Sequence, residues 1–455
     1  MFGVPCHVRW NFSGDTCLSL SKTKVNFMIK RAFWGVKSPQ IKYELLHDTP
    51  VGPRSILPSK TVTLLLPGKY EQKDKLALCA GDSVRTGQKI RHYEDDDAYV
   101  ISSVTGTVIS VEPFFGDFGQ SYTAITISVV ENEKIDDAFA AACSDSVRNA
   151  VTDFLACVPG KPPMEFLAGS GTPIHTLVIC GMDSDLMIAT NQHIIKTRID
   201  AVARGIKILK DAYGIEKAII ALPRDLVSGF GHVGAQLIAV DTCYPSANHR
   251  MIMYKALKQV VPAGKNCEDL GVCFISAEAA ASIGSAFEKS EIPLTKTITL
   301  INKDREKIMI SARIGTPASD IFKACDVTVN ERDRIIFGGP MTGTAVFSED
   351  HPVGPDTDAI IVQDKNEVTL VSDYPCINCG ECIRICPAGI QINMLVRFLE
   401  AGEYQTAADE YDLYSCIECG LCSLVCESKI PIFQYIRLAK YELVREKAAE
   451  AIDDE

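Results

Sequence analysis

One cysteine string occurs twice near the carboxyl end of this 455-residue chain, and it limits the fold more than any other feature. Each copy reads Cys-x2-Cys-x2-Cys-x3-Cys, and the second copy starts forty residues after the first. The eight positions are Cys376, Cys379, Cys382, Cys386, Cys416, Cys419, Cys422 and Cys426. Three thiolates this close in sequence can wrap one face of a metal cluster. The repeat therefore predicts a small metal-binding part built from a duplicated loop–helix unit.

This spacing is the ligand pattern of bacterial two-cluster ferredoxins, in which the fourth cysteine of each string binds the other [4Fe–4S] cluster. Glycines lie inside both loops, at Gly380 and Gly420, where the backbone must pass close to the sulfides. The spacing therefore predicts two [4Fe–4S] clusters with crossed ligands. The predicted ligands of cluster 1 are Cys376, Cys379, Cys382 and Cys426, and those of cluster 2 are Cys386, Cys416, Cys419 and Cys422.

Zinc and disulfides are the alternative uses of clustered cysteines. A zinc site takes four ligands, usually as two Cys-x2-Cys pairs, and leaves the third cysteine of each string without a role. A disulfide framework is typical of small secreted chains, whereas this chain is long and has eighteen cysteines. The same abundance of thiols indicates a reducing compartment, the cytoplasm.

Charge and hydropathy exclude two further classes of partner. The chain has 58 acidic and 46 basic residues, a net charge of −12, so we expect no nucleic-acid partner. No apolar stretch approaches the roughly 18–20 residues of a membrane span. We therefore expect no transmembrane segment, and any work at a membrane would require docking on another subunit.

The pattern along the chain predicts several domains. Residues 61–130 show short alternating runs broken by Gly, Pro and Asp, which is typical of β structure. Residues 170–290 alternate strand-like and helix-like periods, which indicates a parallel sheet with helical crossovers. The predicted division is 1–60 as an N-terminal extension, 61–135 as a β module, 136–292 as an α/β domain, 293–370 as a small β-rich domain, 371–443 as the two-cluster domain and 444–455 as an acidic tail.

The first 27 residues differ from the rest of the chain. They have no continuous apolar segment and no small-residue cleavage site, which argues against a signal peptide. A more regular stretch opens at Met28. We expect either that translation begins at Met28 or that residues 1–27 are a disordered extension.

Two phrases in the β module, residues 80–88 and 102–108, resemble the biotinyl/lipoyl-type barrel-sandwich hybrid. The turn that would carry the modified lysine reads Ser103-Val104-Thr105-Gly106. Because no amine is available there, the chain cannot attach a swinging arm at this turn. We interpret the module as structural or as a docking surface.

The domain order and several motifs resemble RnfC, the C component of the Rnf ion-translocating oxidoreductase complex, over most of 67–443. The motifs are Asp241-Thr242-Cys243-Tyr244-Pro245, Val260-Val261-Pro262-Ala263-Gly264, Arg313-Ile314-Gly315-Thr316-Pro317, Gly338-Gly339-Pro340-Met341-Thr342-Gly343 and Cys416-Ile417-Glu418-Cys419-Gly420-Leu421-Cys422. The resemblance implies a multidomain α/β protein: a barrel-sandwich β module, a Rossmann-like α/β domain, a small β-grasp (SLBB-like) domain and a C-terminal helical two-[4Fe–4S] ferredoxin-type domain. In this family the α/β domain holds FMN and receives hydride from NADH.

Three departures argue against a normal FMN and NADH site. The glycine-rich phosphate loop of the family is replaced by 157–171, where three prolines remove amide donors. A second family phrase keeps only its acidic pair, as Asp183 and Asp185. A third glycine-rich phrase has become Ser246-Ala247-Asn248-His249. FMN binding is therefore not expected in the family manner, and Asp183 and Asp185 are predicted to be remnants of a flavin site or loop caps.

The sequence thus predicts the electron-transfer iron–sulfur subunit of an Rnf-type membrane complex that couples electron transfer to Na⁺ or H⁺ translocation. Its expected partners are integral membrane and redox subunits and an electron-carrier protein. Its expected location is peripheral, on the cytoplasmic face of the cell membrane. The alternatives are an FMN-containing NADH dehydrogenase module with an atypical loop and a non-catalytic iron–sulfur scaffold. A cobalamin-reductase-like role is disfavoured, since those relatives keep the glycine loop.

Overall fold

The computed structural model describes residues 40–46, 52–68, 78–91, 98–116, 119–169, 171–230 and 233–453. The first 27 residues and the predicted start at Met28 lie outside these ranges. The described strands are β1 (Arg54–Ser55), β2 (Thr61–Pro67), β3 (Ser83–Val84), β4 (Lys89–Ile90), β5 (Val100–Ile101), β6 (Gly106–Phe115), β7 (Ser121–Val129), β8 (Thr176–Cys180), β9 (Lys217–Pro223), β10 (Gln236–Val240), β11 (Val272–Ser276), β12 (Thr295–Ile301), β13 (Lys307–Arg313), β14 (Arg334–Phe337), β15 (Thr344–Val346) and β16 (Ala359–Gln363).

The helices lie mainly in the α/β region and at the carboxyl end of the chain. They are α1 (Ala138–Asp145), α2 (Val147–Phe154), α3 (Met164–Leu167), α4 (Thr190–Thr197), α5 (Ile199–Tyr213), α6 (His249–Lys255), α7 (Ala277–Lys289), α8 (Ala318–Ala324), α9 (Glu381–Ile385), α10 (Ile392–Glu400), α11 (Tyr404–Glu410), α12 (Leu421–Leu424) and α13 (Ile432–Asp453). In the part of the chain that the structure describes, no helix is both long and apolar enough to cross a membrane.

The first β region contains a sheet in the order β2-β7-β6-β3 and the hairpin pair β4 and β5. Strand β2 alternates buried and more exposed residues, so that Val62, Leu64 and Leu66 face one core. They pack there with Ile125 and Ile127 of β7. The period-two pattern of the sequence thus gives antiparallel sheet with one buried face.

The α/β region contains a fully parallel sheet in the order β10-β9-β8-β11. All five residues of β8 are buried, because this sheet is covered on both faces. Helices α5 and α7 cover one face and approach each other closely at Gly205 and Gly284. A Cβ on Gly205 would lie 1.9 Å from the carbonyl oxygen of Ala280. The other face packs against α6 and residues of the second cysteine string.

Two helices differ from the sequence expectation. The periodicity predicts one helix over 192–213, but the structure has α4 and α5, which are separated at Arg198 (φ −131°). The Thr197 hydroxyl donates to the carbonyl of His193, a back-bond that bends helices. A helix expected over 249–260 ends at Lys255, and Lys258 then adopts a left-handed φ of 58°.

A mixed sheet in the order β1-β13-β12-β16-β14-β15 follows the α/β region. A buried ion pair joins the two regions. The ammonium of Lys296 in β12 contacts the carboxylate of Glu278 in α7 and lies 2.7 Å from that of Asp358. Removing one partner of such a pair typically costs about 3–5 kcal/mol, because a buried charge is left uncompensated. This buried pair therefore joins the α/β region to the mixed sheet.

Candidate functional site

The two cysteine strings form loops with the same backbone conformation. Positive φ angles recur at equivalent positions: 57° and 54° at Asn378 and Glu418, 76° and 72° at Gly380 and Gly420, and 71° and 58° at Gly389 and Lys429. Each loop is followed by a short helix, α9 or α12, and then by a longer one, α10 or α13. The amide of Cys386 donates to Ile383, and that of Cys426 donates to Ser423 in the same way. The repeat in the sequence is therefore also a repeat in structure.

The first group of thiols surrounds Cys382, which is buried at the start of α9. Burial, followed by the effect of neighbouring thiols, raises the pKa of the Cys382 thiol to about 11. These neighbours are Cys379, Cys376 and Cys426. A cysteine from the second string thus lies beside three from the first.

The second group surrounds Cys422 in α12. Burial, followed by neighbouring thiols, raises its pKa well above the usual value for cysteine. The neighbours are Cys416, Cys419 and Cys386. Cys382 and Cys422 each have two neighbouring thiols from their own string and one from the other, and the crossed ligand assignment stays a prediction.

The chemistry of the donors bears on which metal group these thiols would hold. Within the described ranges, no three His, Cys, Asp or Glu side chains converge as the ligands of one metal ion would. Zinc would require four ligands at about 2.0–2.3 Å from one centre. The four ligands of a cubane bind four different iron atoms, so their sulfurs need not converge on a point. The all-thiol donor set also suits iron–sulfur clusters.

Backbone amides near the sulfurs favour the thiolate form. The amide of Glu418 donates to the Cys416 sulfur at 3.4 Å. The backbone amide of Ile383 lowers the pKa of Cys382, and that of Ser423 lowers the pKa of Cys422. Burial raises both pKa values by more. Such amide donors also set the reduction potential of a bound cluster.

One cation lies next to the second group. The Lys440 ammonium in α13 donates to the carbonyl of Cys416 at 2.9 Å and to the carboxylate of Glu418 at 2.7 Å. Burial raises the pKa of the Cys416 thiol, and the positive charge of Lys440 opposes part of that increase. A positive charge at this position would stabilise the more negative, reduced state of a metal cluster bound by these thiols.

The α/β region holds the second loop through three side chains that follow β10. The Tyr244 hydroxyl donates to the carbonyl of Cys419 at 2.6 Å, the Asn248 amide donates to Ile417 at 3.1 Å, and Arg250 donates to Tyr414 at 3.2 Å. Ile417 also packs against the core on that face of the parallel sheet. Sequence reasoning missed this role of Tyr244, Asn248 and Arg250, because their partners are backbone carbonyls far away in the chain.

Asp185 binds a loop of the mixed sheet rather than facing an open site. Its carboxylate accepts the amide of Thr342 at 2.7 Å, the Thr342 hydroxyl at 2.7 Å and the amide of Met341 at 3.2 Å. A Cβ on Gly339 would lie 2.3 Å from the carboxyl carbon of Asp185. The carbonyl of Met341 in turn lies against Gly420. The loop 338–343 is thus held between Asp185 and the second cysteine loop.

Asp183 caps a helix. Its carboxylate accepts the amide of Asn191 in the first turn of α4 at 2.8 Å. Burial raises the pKa of Asp183 to about 6, and the hydrogen bond from Asn191 opposes that increase. Both carboxylates of the acidic pair are therefore bound by the chain itself.

A flavin phosphate bound as in the family would need backbone amides without other hydrogen-bond partners, at the edge of the parallel sheet where Asp183 and Asp185 lie. The described residues do not fit that requirement. A Cβ on Gly160 would lie 2.3 Å from the amide nitrogen of Ala279, so the loop that replaces the glycine-rich loop lies directly on the first turn of α7. The Ala279 amide donates to the Ser276 hydroxyl at 3.0 Å, and the Ala277 amide donates to Asn191 at 2.9 Å.

A cavity of 750 Å³ lies between the segment after β10 and the second cysteine loop. His249 in its wall stacks on Phe274 at 4.4 Å between ring centroids, and burial lowers the pKa of His249 to about 4. The guanidinium of Arg250, also in the wall, donates to backbone carbonyls of Tyr414 and Lys265. Arg250, Arg437 and Lys440, which all line the cavity, thus each have a hydrogen-bond partner within the chain.

The comparisons with known proteins agree with this geometry. The family model described as "4Fe-4S dicluster domain" matches residues 375–430, which span both strings. The carboxyl-terminal part of this mixed α/β chain is therefore a [4Fe–4S] domain of ferredoxin type.

Curated relatives that are similar to this chain are named as the C component of ion-translocating oxidoreductase complexes, which confirms the resemblance to RnfC predicted from the motifs. The relative from Clostridium ljungdahlii, named as the C component of a proton-translocating ferredoxin:NAD(+) oxidoreductase complex, is 27% identical over 80% of this chain and 83% of its own length. That from Acetobacterium woodii, named for a Na(+)-translocating complex of the same kind, is 24% identical over 68% and 75%. The relative from Rhodobacter capsulatus is 27% identical over 52% of this chain, and the match spans less than half of that protein, 47%.

Among solved structures, an NAD+-reducing [NiFe]-hydrogenase in its H2-reduced state matches 69% of this chain and 64% of its own chain. The sequence identity is 11% and the TM-score is 0.41, a level of similarity that carries no information on function.

Proposed function

We propose that this chain is the iron–sulfur electron-transfer subunit of a membrane complex of the Rnf type. In this proposal the complex couples electron transfer between ferredoxin and NAD to translocation of Na⁺ or H⁺, as the names of the Clostridium and Acetobacterium relatives state for those proteins. Ion movement itself would belong to membrane subunits. The chain would lie on the cytoplasmic face of the cell membrane, bound to those subunits and to an electron carrier.

The observation that carries the proposal is the pair of thiol groups. We assign Cys376, Cys379, Cys382 and Cys426 to cluster 1 and Cys386, Cys416, Cys419 and Cys422 to cluster 2, supported by the crossed proximity of the thiols. When bound, each [4Fe–4S] cluster supplies reversible one-electron chemistry. The chain's own residues hold the sulfurs, donate amide hydrogen bonds to them and place Lys440 near one group.

The proposed domain layout follows the predicted boundaries. We assign 61–135 to a barrel-sandwich module, 136–292 to a Rossmann-like α/β domain, 293–370 to a β-grasp (SLBB-like) domain and 371–443 to the ferredoxin-type domain. The 1–60 extension contributes β1 to the mixed sheet, and Ile41 and Tyr43 to the core beneath the parallel sheet. Of the acidic tail, 444–455, residues 444–453 continue α13.

The FMN-containing NADH dehydrogenase remains the second candidate because the 750 Å³ cavity adjoins Cys416 and Cys419. The capped amides of α4 and α7 argue against flavin phosphate in the family position. We therefore propose that electrons enter and leave this chain through protein partners rather than through a flavin in the α/β domain.

The first prediction concerns the content of the full chain after anaerobic purification. We expect about eight iron and eight sulfide per chain, because two [4Fe–4S] clusters are bound, and no flavin fluorescence after acid release. Cys386→Ala should lower the iron content by about half. It should remove the same EPR signal as Cys416→Ala, since the assignment places both ligands on cluster 2.

Cys79→Ala, at an exposed cysteine outside the strings, is the control and should leave iron content unchanged. A colourless protein without iron would contradict the proposal. Released flavin would favour the dehydrogenase, and clusters whose EPR spectrum does not respond to dithionite would favour the scaffold.

A further inference from the structure

The side chain of Asn248 takes its orientation from two hydrogen bonds at the start of α6. Its oxygen accepts the backbone amide of Arg250 at 3.1 Å and so caps the amino end of that helix. The side-chain nitrogen is then left as the donor, and it donates to the carbonyl oxygen of Ile417 at 3.1 Å. The cap of α6 therefore fixes the amide group of Asn248 with its donor on one carbonyl of the second cysteine loop.

The peptide group that Asn248 binds also donates to a cysteine sulfur. The carbonyl of Ile417 and the amide of Glu418 belong to one peptide plane. That amide donates to the Cys416 sulfur at 3.4 Å. A donor at the carbonyl end of a peptide group polarises the group and strengthens the hydrogen bond that its N–H makes. Asn248 is thus connected to the sulfur of Cys416 through a single peptide group.

The first cysteine loop lies in different surroundings at the equivalent peptide, which joins Ile377 to Asn378. Ile377 is 66% exposed. The side-chain oxygen of Asn378 accepts a hydrogen bond from Asn393 of α10 at 2.6 Å, within the cysteine-rich part of the chain. The hydrogen bond from Asn248 therefore acts on the second loop, and the first loop provides an internal reference in the same molecule.

We propose that Asn248 is a positioning residue for cluster 2 and raises its reduction potential through the Ile417–Glu418 peptide. The inference rests on the proposed function and adds how the α/β region sets the potential of one cluster. A stronger hydrogen bond to the Cys416 sulfur stabilises the more negative, reduced state of a cluster bound there. Removing the donor should therefore lower the potential of cluster 2 and leave that of cluster 1 unchanged.

The test is a redox titration followed by EPR, on the full chain with both clusters, purified without oxygen. Asn248→Ser keeps an oxygen that can cap α6 but removes the nitrogen that donates to Ile417. At a fixed applied potential, the ratio of reduced to oxidised cluster 2 should fall at least about threefold, which is about 28 mV for a one-electron couple. The signal of cluster 2 is identified as the one that disappears in Cys416→Ala.

A second variant separates the hydrogen bond from the size of the side chain. Asn248→Asp has the same shape and keeps the cap, but it places a carboxylate oxygen against the carbonyl of Ile417. We expect at least as large a decrease in the potential of cluster 2 as in Asn248→Ser. Ser276→Ala is the matched control, because it removes the hydroxyl that caps α7 at 3.0 Å, and it should change the potential of neither cluster.

Three results would overturn the inference. The first is that in both Asn248 variants the ratio for cluster 2 stays within about 1.5-fold of that in the unaltered chain. The second is an equal shift of both clusters, and the third is the loss of about half of the iron in both variants, since Asn248 would then retain a cluster rather than set its potential. An unaltered chain that binds no iron, or whose EPR spectrum does not respond to dithionite, would instead contradict the proposed function.

Discussion

The two cysteine loops share a backbone and much of their sequence, yet they lie in different surroundings. The first reads Tyr-Pro-Cys-Ile-Asn-Cys-Gly and the second Tyr-Ser-Cys-Ile-Glu-Cys-Gly, starting at Tyr374 and Tyr414. Ile377 is 66% exposed, whereas Ile417 packs under the parallel sheet. The two loops therefore share one conformation, and the rest of the fold decides which of them is covered.

The largest expected effect comes from placing a charge on each loop in turn. Ile417→Asp should lower the free energy of unfolding by about 2 kcal/mol, because a carboxylate would enter an apolar contact without a partner. Ile377→Asp should change it by less than about 0.5 kcal/mol, as is usual for exposed positions. Urea unfolding of the anaerobic, cluster-loaded chain, followed by far-UV circular dichroism, measures both.

Equal losses of stability in the two variants would contradict the contrast between an exposed first loop and a covered second loop. Equal losses would mean that the first loop is covered in solution, by a second copy or by part of the same chain. Iron content should be measured for each variant, so that loss of a cluster is separated from loss of the contact with the α/β region.

A smaller effect concerns the α/β region that supports the second loop. The folded-state pKa of Asp183, about 6, is higher than the value of about 4 in an unfolded chain. The folded protein therefore binds the extra proton, and its stability declines as the pH rises from about 4 to about 6. We expect Asp183→Asn to remove this dependence, a difference of about 1 kcal/mol between pH values of about 5 and 7.5.

Urea midpoints at the two pH values test this expectation, with Asp200→Asn at an exposed position of α5 as the control. His249 acts in the opposite direction, since burial lowers its pKa to about 4 and the fold loses stability as the pH falls below about 6.5. The difference in urea midpoint between the unaltered chain and Asp183→Asn at each pH isolates the contribution of the Asp183 carboxyl group, because both proteins contain His249. A parallel pH dependence in both proteins would mean that Asp183 titrates normally.

The smallest expected effect is a change in the reduction potential of one of the two proposed clusters. Lys440 lies beside the second loop, and the equivalent residue after the first loop is Glu400. Lys440→Met should lower the reduction potential of cluster 2 by about 20–60 mV, because a positive charge that stabilises the reduced state is removed. A redox titration followed by EPR measures the shift.

In Lys440→Met, cluster 1 should keep its reduction potential. The control variant Lys207→Met changes an exposed lysine of α5 and should alter the potential of neither cluster. Equal shifts in both clusters would show that the charge acts over the whole domain. The two loops would then be electrostatically alike despite their different surroundings.

The sequence was sufficient for the features that depend on local spacing. The repeated cysteine string predicted the duplicated loop–helix unit, and the alternating and continuous apolar runs predicted the β region and the parallel sheet. The break at Arg198 was missed, because a back-bond from Thr197 to His193 is not visible in a hydrophobic period. The binding of loop 338–343 by Asp185 was also missed, since the partners are more than 150 residues apart.

The exposed and covered loops could not be told apart from their residues. Tyr and Ile occupy the same positions in both, so composition gives the same expectation for each. The difference comes from Tyr244, Asn248 and Arg250, which reach the second loop through the fold.

The glycines of the two loops place different limits on the future divergence of this chain. Both have left-handed backbones, but a side chain at Gly420 would meet the Met341 carbonyl at 2.6 Å, whereas one at Gly380 would meet only the end of the flexible Arg384 side chain at 3.3 Å. An asparagine, which tolerates a left-handed backbone, could therefore replace Gly380 but not Gly420. Over evolutionary time the first loop can exchange this glycine, while the second loop must keep its glycine as long as it lies against the loop that contains Met341.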